Sequence, residues 1–346
     1  MRRLSIAPIL LFLVVACGSA AGPSTPSTPA AVPTRTVSVT PTAAATPTAA
    51  TATPTASGSS NESAIVATVP TADGPIILAA TDDTVWVENH RSNFVSRVDP
   101  ARNLEVEQLT KVNVHCEIAA GGGSVWTTEA AASSVNKVDE RTGKVVASIV
   151  LSDACGVAVD DDDVWITSPG LGTIVRYDPA TTKPRTTIKL QPMVFSVAIG
   201  PEAVWVVGEA DGGAVYRIDP ATNKLVASIS VPIGFATGIV AGHGAVWVPS
   251  RDNRVVYRID PATNAVAATI KMPSLIGGIG VGPDAMWTSG FGDGNVYRID
   301  PATNEITASV STGQGNLGPP LVAFGSIWVA ALDQNVVLRI DPAAIQ

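Results

Sequence analysis

Tryptophans stand at positions 86, 126, 165, 205, 247, 287 and 328, spaced by 40, 39, 40, 42, 40 and 41 residues, and each precedes a near-copy of the string VYRIDPATN. Self-similarity at about 40 residues in a strand-rich unit is the mark of β-propeller blades, since each small sheet buries its two faces only against its neighbours. Within the sixth repeat, Gly277 to Val281, Ala285 to Thr288, Asn295 to Ile299 and Glu305 to Val310 read as strands. They are short runs rich in β-branched and alternating residues, bounded by Gly, Pro, Asp and Asn. The predicted fold is all-β: a seven-bladed propeller of four-stranded antiparallel blades over residues 64–346.

The last repeat reaches Gln346 just beyond its third strand, while a strand pattern, Ala64 to Val69, stands ahead of the first repeat. That segment is expected to supply the outer strand of the seventh blade. Closing the ring in this way removes the open edges that a row of sheets would expose.

Asp99, Asp139, Asp178, Asp219, Asp260, Asp300 and Asp341 open the turn after the third strand, and six of them precede proline. Asp caps its own turn, and Pro presets the next φ. Arg97, Lys137, Arg176, Arg217, Arg258, Arg298 and Arg339 stand two residues earlier. That spacing puts cation and carboxylate on one strand face, so an ion pair repeated in every blade is expected. The tryptophans are expected to pack between blades as large apolar bodies.

Before the repeats, Arg2 and Arg3 precede an apolar run from Ile6 to Ala16, too short to span a bilayer and ordered as in an export signal. Residues 1–16 therefore read as a lipoprotein signal peptide. The run ends Val14-Val15-Ala16-Cys17, which resembles the bacterial lipobox and implies lipid on Cys17. An ordinary signal peptide with an incidental cysteine is the competing reading. Residues 18 to 63 are almost wholly Pro, Thr, Ala, Ser and Gly, with Arg35 and Glu62 as the only charges. Such a segment cannot bury a core, so residues 17–63 read as a lipid anchor and disordered tether. The expected location is the outer face of a bacterial cell membrane.

With Cys17 assigned to lipid, Cys116 and Cys155 remain, each ten residues before the tryptophan of its repeat. They occupy one structural position in consecutive blades, and an exported compartment permits a disulfide between them. Two buried thiols are the alternative. The chain has 22 Lys and Arg against 30 Asp and Glu; without Arg2 and Arg3 the balance is 20 against 30, and no basic block occurs. Nucleic acid is excluded as a partner on that ground, and membrane attachment falls to the lipid on Cys17. A monomer is expected.

Compared with one another, the repeats agree in the turns joining strands one to two and three to four. They vary in the loops joining strands two to three and in the connections between blades, so function is sought on the variable face, around the mouth of the central channel. Its ligand-binding candidates are Glu88, Arg91, Glu117, Asp153, Glu209, Arg251 and Asp333, with Phe195, Phe235 and Phe291 as apolar lining. His90, His115 and Glu129 are the catalytic candidates. Together with Glu88 they offer N and O ligands to a divalent ion such as Mg²⁺ or Ca²⁺, although solvated loop charges are the plainer reading. His243 lies in a turn on the repetitive face. Asp160 to Asp163 form an acidic run read as a solvated turn, since it lacks the D-x-D-x-D-G ligand spacing. No G-x-S-x-G, H-E-x-x-H or phosphate-loop string is present.

The unit GxGAVWV…VYRIDPATNxVxASIxV, carried through residues 64 to 346, resembles the YVTN-type repeats of bacterial surface and periplasmic propellers. The architecture is also similar to the streptogramin (virginiamycin B) lyases, and Trp126-Thr127-Thr128-Glu129 to the LWFTE strand of that family. That likeness implies elimination chemistry using a histidine, glutamates and Mg²⁺ on one face. The D-P-A-T-N turn is similar to the D-x-x-T-G turn of quinoprotein propellers, but the docking tryptophan that follows there is missing here. The reading that results is a lipid-anchored propeller that binds a protein, peptide or small molecule through its variable face; the alternative is a metal-assisted lyase or hydrolase at the channel mouth.

Overall fold

The computed structural model describes residues 64–92, 94–109 and 116–345. The signal segment, Cys17, the tether to residue 63 and His115 lie outside the described residues. Seven four-stranded antiparallel sheets form a ring, and six of them run from an innermost to an outermost strand in chain order. Blade 1 comprises Pro75–Ala80, Val85–Asn89, Phe94–Asp99 and Leu104–Leu109. The tryptophan strands of blades 2 to 7 are Ser124–Glu129, Val164–Ser168, Val204–Gly208, Ala245–Ser250, Met286–Phe291 and Ser326–Ala331.

The ring closes as expected. Blade 7 takes three strands from the end of the chain, Leu321–Ala323, Ser326–Ala331 and Val336–Ile340, and its outer strand from the start, Ile65–Pro70. The outer strand pairs antiparallel from Ile65 opposite Ile340 to Pro70 opposite Val336, and buries Ala64 and Val69 completely.

Seven hydrophobic clusters fill the seven clefts between blades. Trp86 packs with Ile118, Val125 and Val138 of blade 2, and Trp205 with Val246 and Val248 of blade 5. At the seam, Trp328 of blade 7 packs with Val85, Val87 and Val98 of blade 1. Every tryptophan thus faces the next blade round the ring. All seven are at most 2% exposed, so each removes a large apolar area from water.

The cation two residues before each turn aspartate does something other than the predicted ion pair. Strand register sets it directly opposite its tryptophan: Trp86 faces Arg97, Trp165 faces Arg176, and Trp205 faces Arg217. In six blades the cation lies over the indole, 5.1 to 5.7 Å from the ring centroid. In four of them, those of Lys137, Arg176, Arg217 and Arg339, it then reaches the turn of the next blade. Arg176 donates to Pro220 O at 2.7 Å and Asn223 Oδ1 at 2.8 Å, Arg217 to Pro261 O and Asn264 Oδ1, and Arg339 across the seam to Pro100 O and Asn103 Oδ1.

The aspartates meanwhile cap their own turns, as when Asp260 Oδ1 accepts from Ala262 N at 2.8 Å. No salt bridge joins a third-strand cation to the aspartate two residues on, among the described residues. The string RIDPATN is therefore both plug and socket. Where it is so wired, its Arg enters the next blade and its Asn receives the Arg of the previous one, as at Asn223 and Asn264. That Asn also sits at positive φ, +52° at Asn264, a conformation asparagine tolerates better than most residues.

Candidate binding site at the channel mouth

The residue ten places before each tryptophan forms an inner ring on the variable face: Ile76, Cys116, Cys155, Phe195, Thr237, Gly277 and Gly318. The first six line a cavity of about 410 Å³. Position along the repeat thus becomes position round a circle, which explains how residues about 40 apart in sequence converge. At Gly277 a side chain is forbidden, because a Cβ would come 2.0 Å from Leu317 O.

Ring carbonyls are fixed from the preceding blade. Thr167 Oγ1 donates to Phe195 O at 2.6 Å and Ser289 Oγ to Gly318 O at 2.7 Å, each hydroxyl standing two residues after its tryptophan. Thr128 Oγ1 contacts Cys155 O in the same way.

Cys116 and Cys155 form the expected disulfide, with Cα atoms 5.0 Å apart, joining neighbouring ring positions of blades 2 and 3 in the cavity wall. Glu117 follows immediately. Its Oε2 accepts from Val157 N at 2.8 Å, and one side of the residue borders the cavity. Burial nevertheless pushes its carboxyl up to about 8, further than the Val157 hydrogen bond pulls it down.

Across the cavity, Arg251 is clamped between two rings, its guanidinium carbon 4.2 Å from the Phe291 centroid and 5.0 Å from that of Phe235. Its Nε donates to Ile276 O at 3.1 Å. Burial makes it a weaker base than arginine normally is. Glu209 stands at the equivalent position in blade 4, four residues after its tryptophan. Its Oε1 accepts from Ala236 N at 2.8 Å, and burial raises its carboxyl. The rest of the wall is largely apolar and includes Ile239, Ile279, Pro319 and Pro320.

Of the candidates read from the sequence, Glu117, Phe195, Glu209, Phe235 and Arg251 therefore meet at one cavity, and Phe291 supports Arg251 from behind. Others are already engaged. Arg91 bridges the seam to Asp333 at 2.7 Å, and Asp333 also accepts from Asn316. Asp153 Oδ2 accepts from Gly170 N and holds the neighbouring loop. Of the acidic run, Asp163 is not solvated: it is 5% exposed and bound by both Arg176 and Arg185. His243 makes a ring-nitrogen hydrogen bond to Gly282 O at 2.9 Å and borders a separate cavity of about 560 Å³ on the opposite face.

Glu88 and Glu129 are a different matter. Both are buried, at 1% and 3% exposure, and in each the Oε2 atom lacks a hydrogen-bond partner. Glu88 holds the position where blades 2, 3 and 6 have a hydroxyl. Its Oε1 lies 3.5 Å from His90 Nδ1, and that contact, with the Glu129 charge adding to it, makes His90 more basic than usual. Among the described residues no group of three or more His, Cys, Asp or Glu is disposed to hold a metal ion.

No family model matches this chain, and no curated protein matches it. Solved structures do. Virginiamycin B lyase from Staphylococcus aureus superposes with a TM-score of 0.67 at 20% identity, over 77% of this chain and 94% of that one. The chain shares its fold with the streptogramin B lyases. A catalytically inactive histidine-to-alanine variant of the lyase with quinupristin gives a TM-score of 0.66 at 19% identity, over 78% and 94%. Hydrazine synthase from Kuenenia stuttgartiensis gives 0.70 at 16%, over 78% and 96%. Such identities carry the fold and not the chemistry. The likeness to YVTN repeats rests on the repeat string alone.

Proposed function

We propose that this chain is a lipid-anchored, extracytoplasmic propeller whose channel mouth binds a small molecule or an extended peptide tip. The observation that carries the binding reading is the cavity itself. Six blades each contribute one ring residue to it, its wall is mainly apolar, and few polar groups converge there, which is the usual make-up of a ligand site. A thermal-shift screen of the mature protein, followed by footprinting with the best hit, tests it. Protection is expected at Phe195 and Phe235; protection confined to the His243 face would refute it. Anchoring is supported by the lipobox-like Ala16-Cys17 pair and the charge-poor segment after it. Intact mass should place lipid on Cys17, and Cys17→Ser should release the protein.

A second reading, metal-assisted elimination or hydrolysis, is favoured by the two unpartnered carboxylate oxygens of Glu88 and Glu129 beside His90. If it holds, Mg²⁺ or Ca²⁺ should raise the melting temperature and EDTA reverse the rise. No response to either would remove this reading.

A further inference from the structure

The channel-mouth cavity has a marked asymmetry of charge. Arg251 is its only basic lining residue among the described residues, and no carboxylate lies within salt-bridge distance of it. Its Nε is committed to Ile276 O and its plane is fixed by Phe235 and Phe291, while the two terminal nitrogens make no hydrogen bond to the described protein. A half-buried cation without a counter-ion is unfavourable unless something else supplies one. Several other arginines of the ring have carboxylate partners: Arg176 has Asp163, Arg97 has Glu107, and Arg91 has Asp333.

We propose that Arg251 is the recognition residue of this site and that its ligand is an organic monocarboxylate with a flat apolar body. The carboxylate takes the two terminal nitrogens side by side, the geometry for which a planar guanidinium is suited. The body lies against Phe235 and Phe195 and the apolar wall formed by Ile239, Ile279 and Pro319. One cation matches one negative charge. A phosphate ester would bring nearly two into a mouth that already holds Glu117 and Glu209, with Asp252 beside Arg251. Burial raises the carboxyls of Glu117 and Glu209, so both repel a bound carboxylate less than ordinary surface acids would.

This inference rests on the channel mouth being the binding site, and the experiment separates the two. The mature protein is titrated with 2-naphthoate, with the neutral 2-naphthalenemethanol and with 2-naphthyl phosphate, followed by ligand-observed NMR. The wild type should bind the carboxylate at least about tenfold more tightly than the alcohol and more tightly than the phosphate. Arg251→Met should abolish that preference while still binding the alcohol, and Arg251→Lys should retain only part of it. If the alcohol binds as well as the carboxylate in the wild type, the carboxylate assignment falls and the binding site stands. If the phosphate binds best, the charge argument is overturned. If none of the three binds, both the inference and the site are refuted. The comparison of ligands on the wild type does not depend on how well either variant folds.

Discussion

Asn264 and Asn304 occupy the same place in consecutive turns, at φ of +52° and +62°, yet they are wired differently. Asn264 Oδ1 accepts from Arg217 at 3.1 Å, whereas Asn304 Oδ1 is buried without a partner and so is Nε of Arg258, the arginine that precedes it round the ring. Replacing each by glycine keeps the positive φ and removes only the side-chain acceptor. A hydrogen bond to a charged group is worth about 1.5–3 kcal/mol, and partial exposure brings the Arg217 bond nearer 1. Asn264→Gly should therefore cost about 1 kcal/mol more than Asn304→Gly, which removes an unsatisfied atom. Asn264→Ala should lose a further ~1 kcal/mol or more, because alanine resists the left-handed conformation. Equilibrium urea unfolding measures all three variants, and a cycle with Arg217→Met should give a coupling of about 1 kcal/mol. Equal losses for the two glycine variants, or zero coupling, would refute the plug-and-socket account of the repeat.

Deleting residues 64 to 70 should lower the unfolding midpoint sharply. Fully burying Val69 is alone worth about 1.5–3 kcal/mol, and the backbone pairs with Val336–Ile340 are lost as well; deleting residues 23 to 57 should leave the midpoint unchanged. Thiol titration of the denatured, unreduced protein should find neither Cys116 nor Cys155 free. Reduction should destabilise by about 3–4 kcal/mol, in keeping with the 39-residue separation, and an unaltered melting curve would argue against that. The Glu117 carboxyl is raised from 4.5 to about 8, so the folded state holds its proton where the unfolded chain releases it. Its contribution to stability is then greatest below pH 4.5 and falls as pH rises to about 8, by at most about 1.4 kcal/mol per unit. Glu117→Gln should flatten the profile in that window, and an unchanged slope would count against a neutral Glu117.

The period of the tryptophans was enough for the blade count and the closing strand, and it set Cys116 and Cys155 at equivalent positions, because each depends only on position within the repeat; their pairing was read only with the export signal and with Cys17 assigned to lipid. The partner of the repeated arginine was not legible. Arg217 and Asp219 share a strand and invite pairing, but Arg217 is drawn over Trp205 by cross-strand register and then to a turn 44 residues on. Glu209, Arg251 and Phe235 stood out as departures from the repeat. The clamp of Phe235 and Phe291 on Arg251 did not, since it joins two blades. Nor did the burial of Glu88, although a carboxylate where other repeats have Thr or Ser was a signal open to reading.

The outer strand of blade 7 begins at Ile65, opposite Ile340, and Ala64 O accepts from Asp341 N at the start of a short turn. The polypeptide therefore enters the ring on the face away from the cavity. Tension from the N-terminal side would load this strand along its length, so its pairs with Val336–Ile340 resist together rather than peeling one by one.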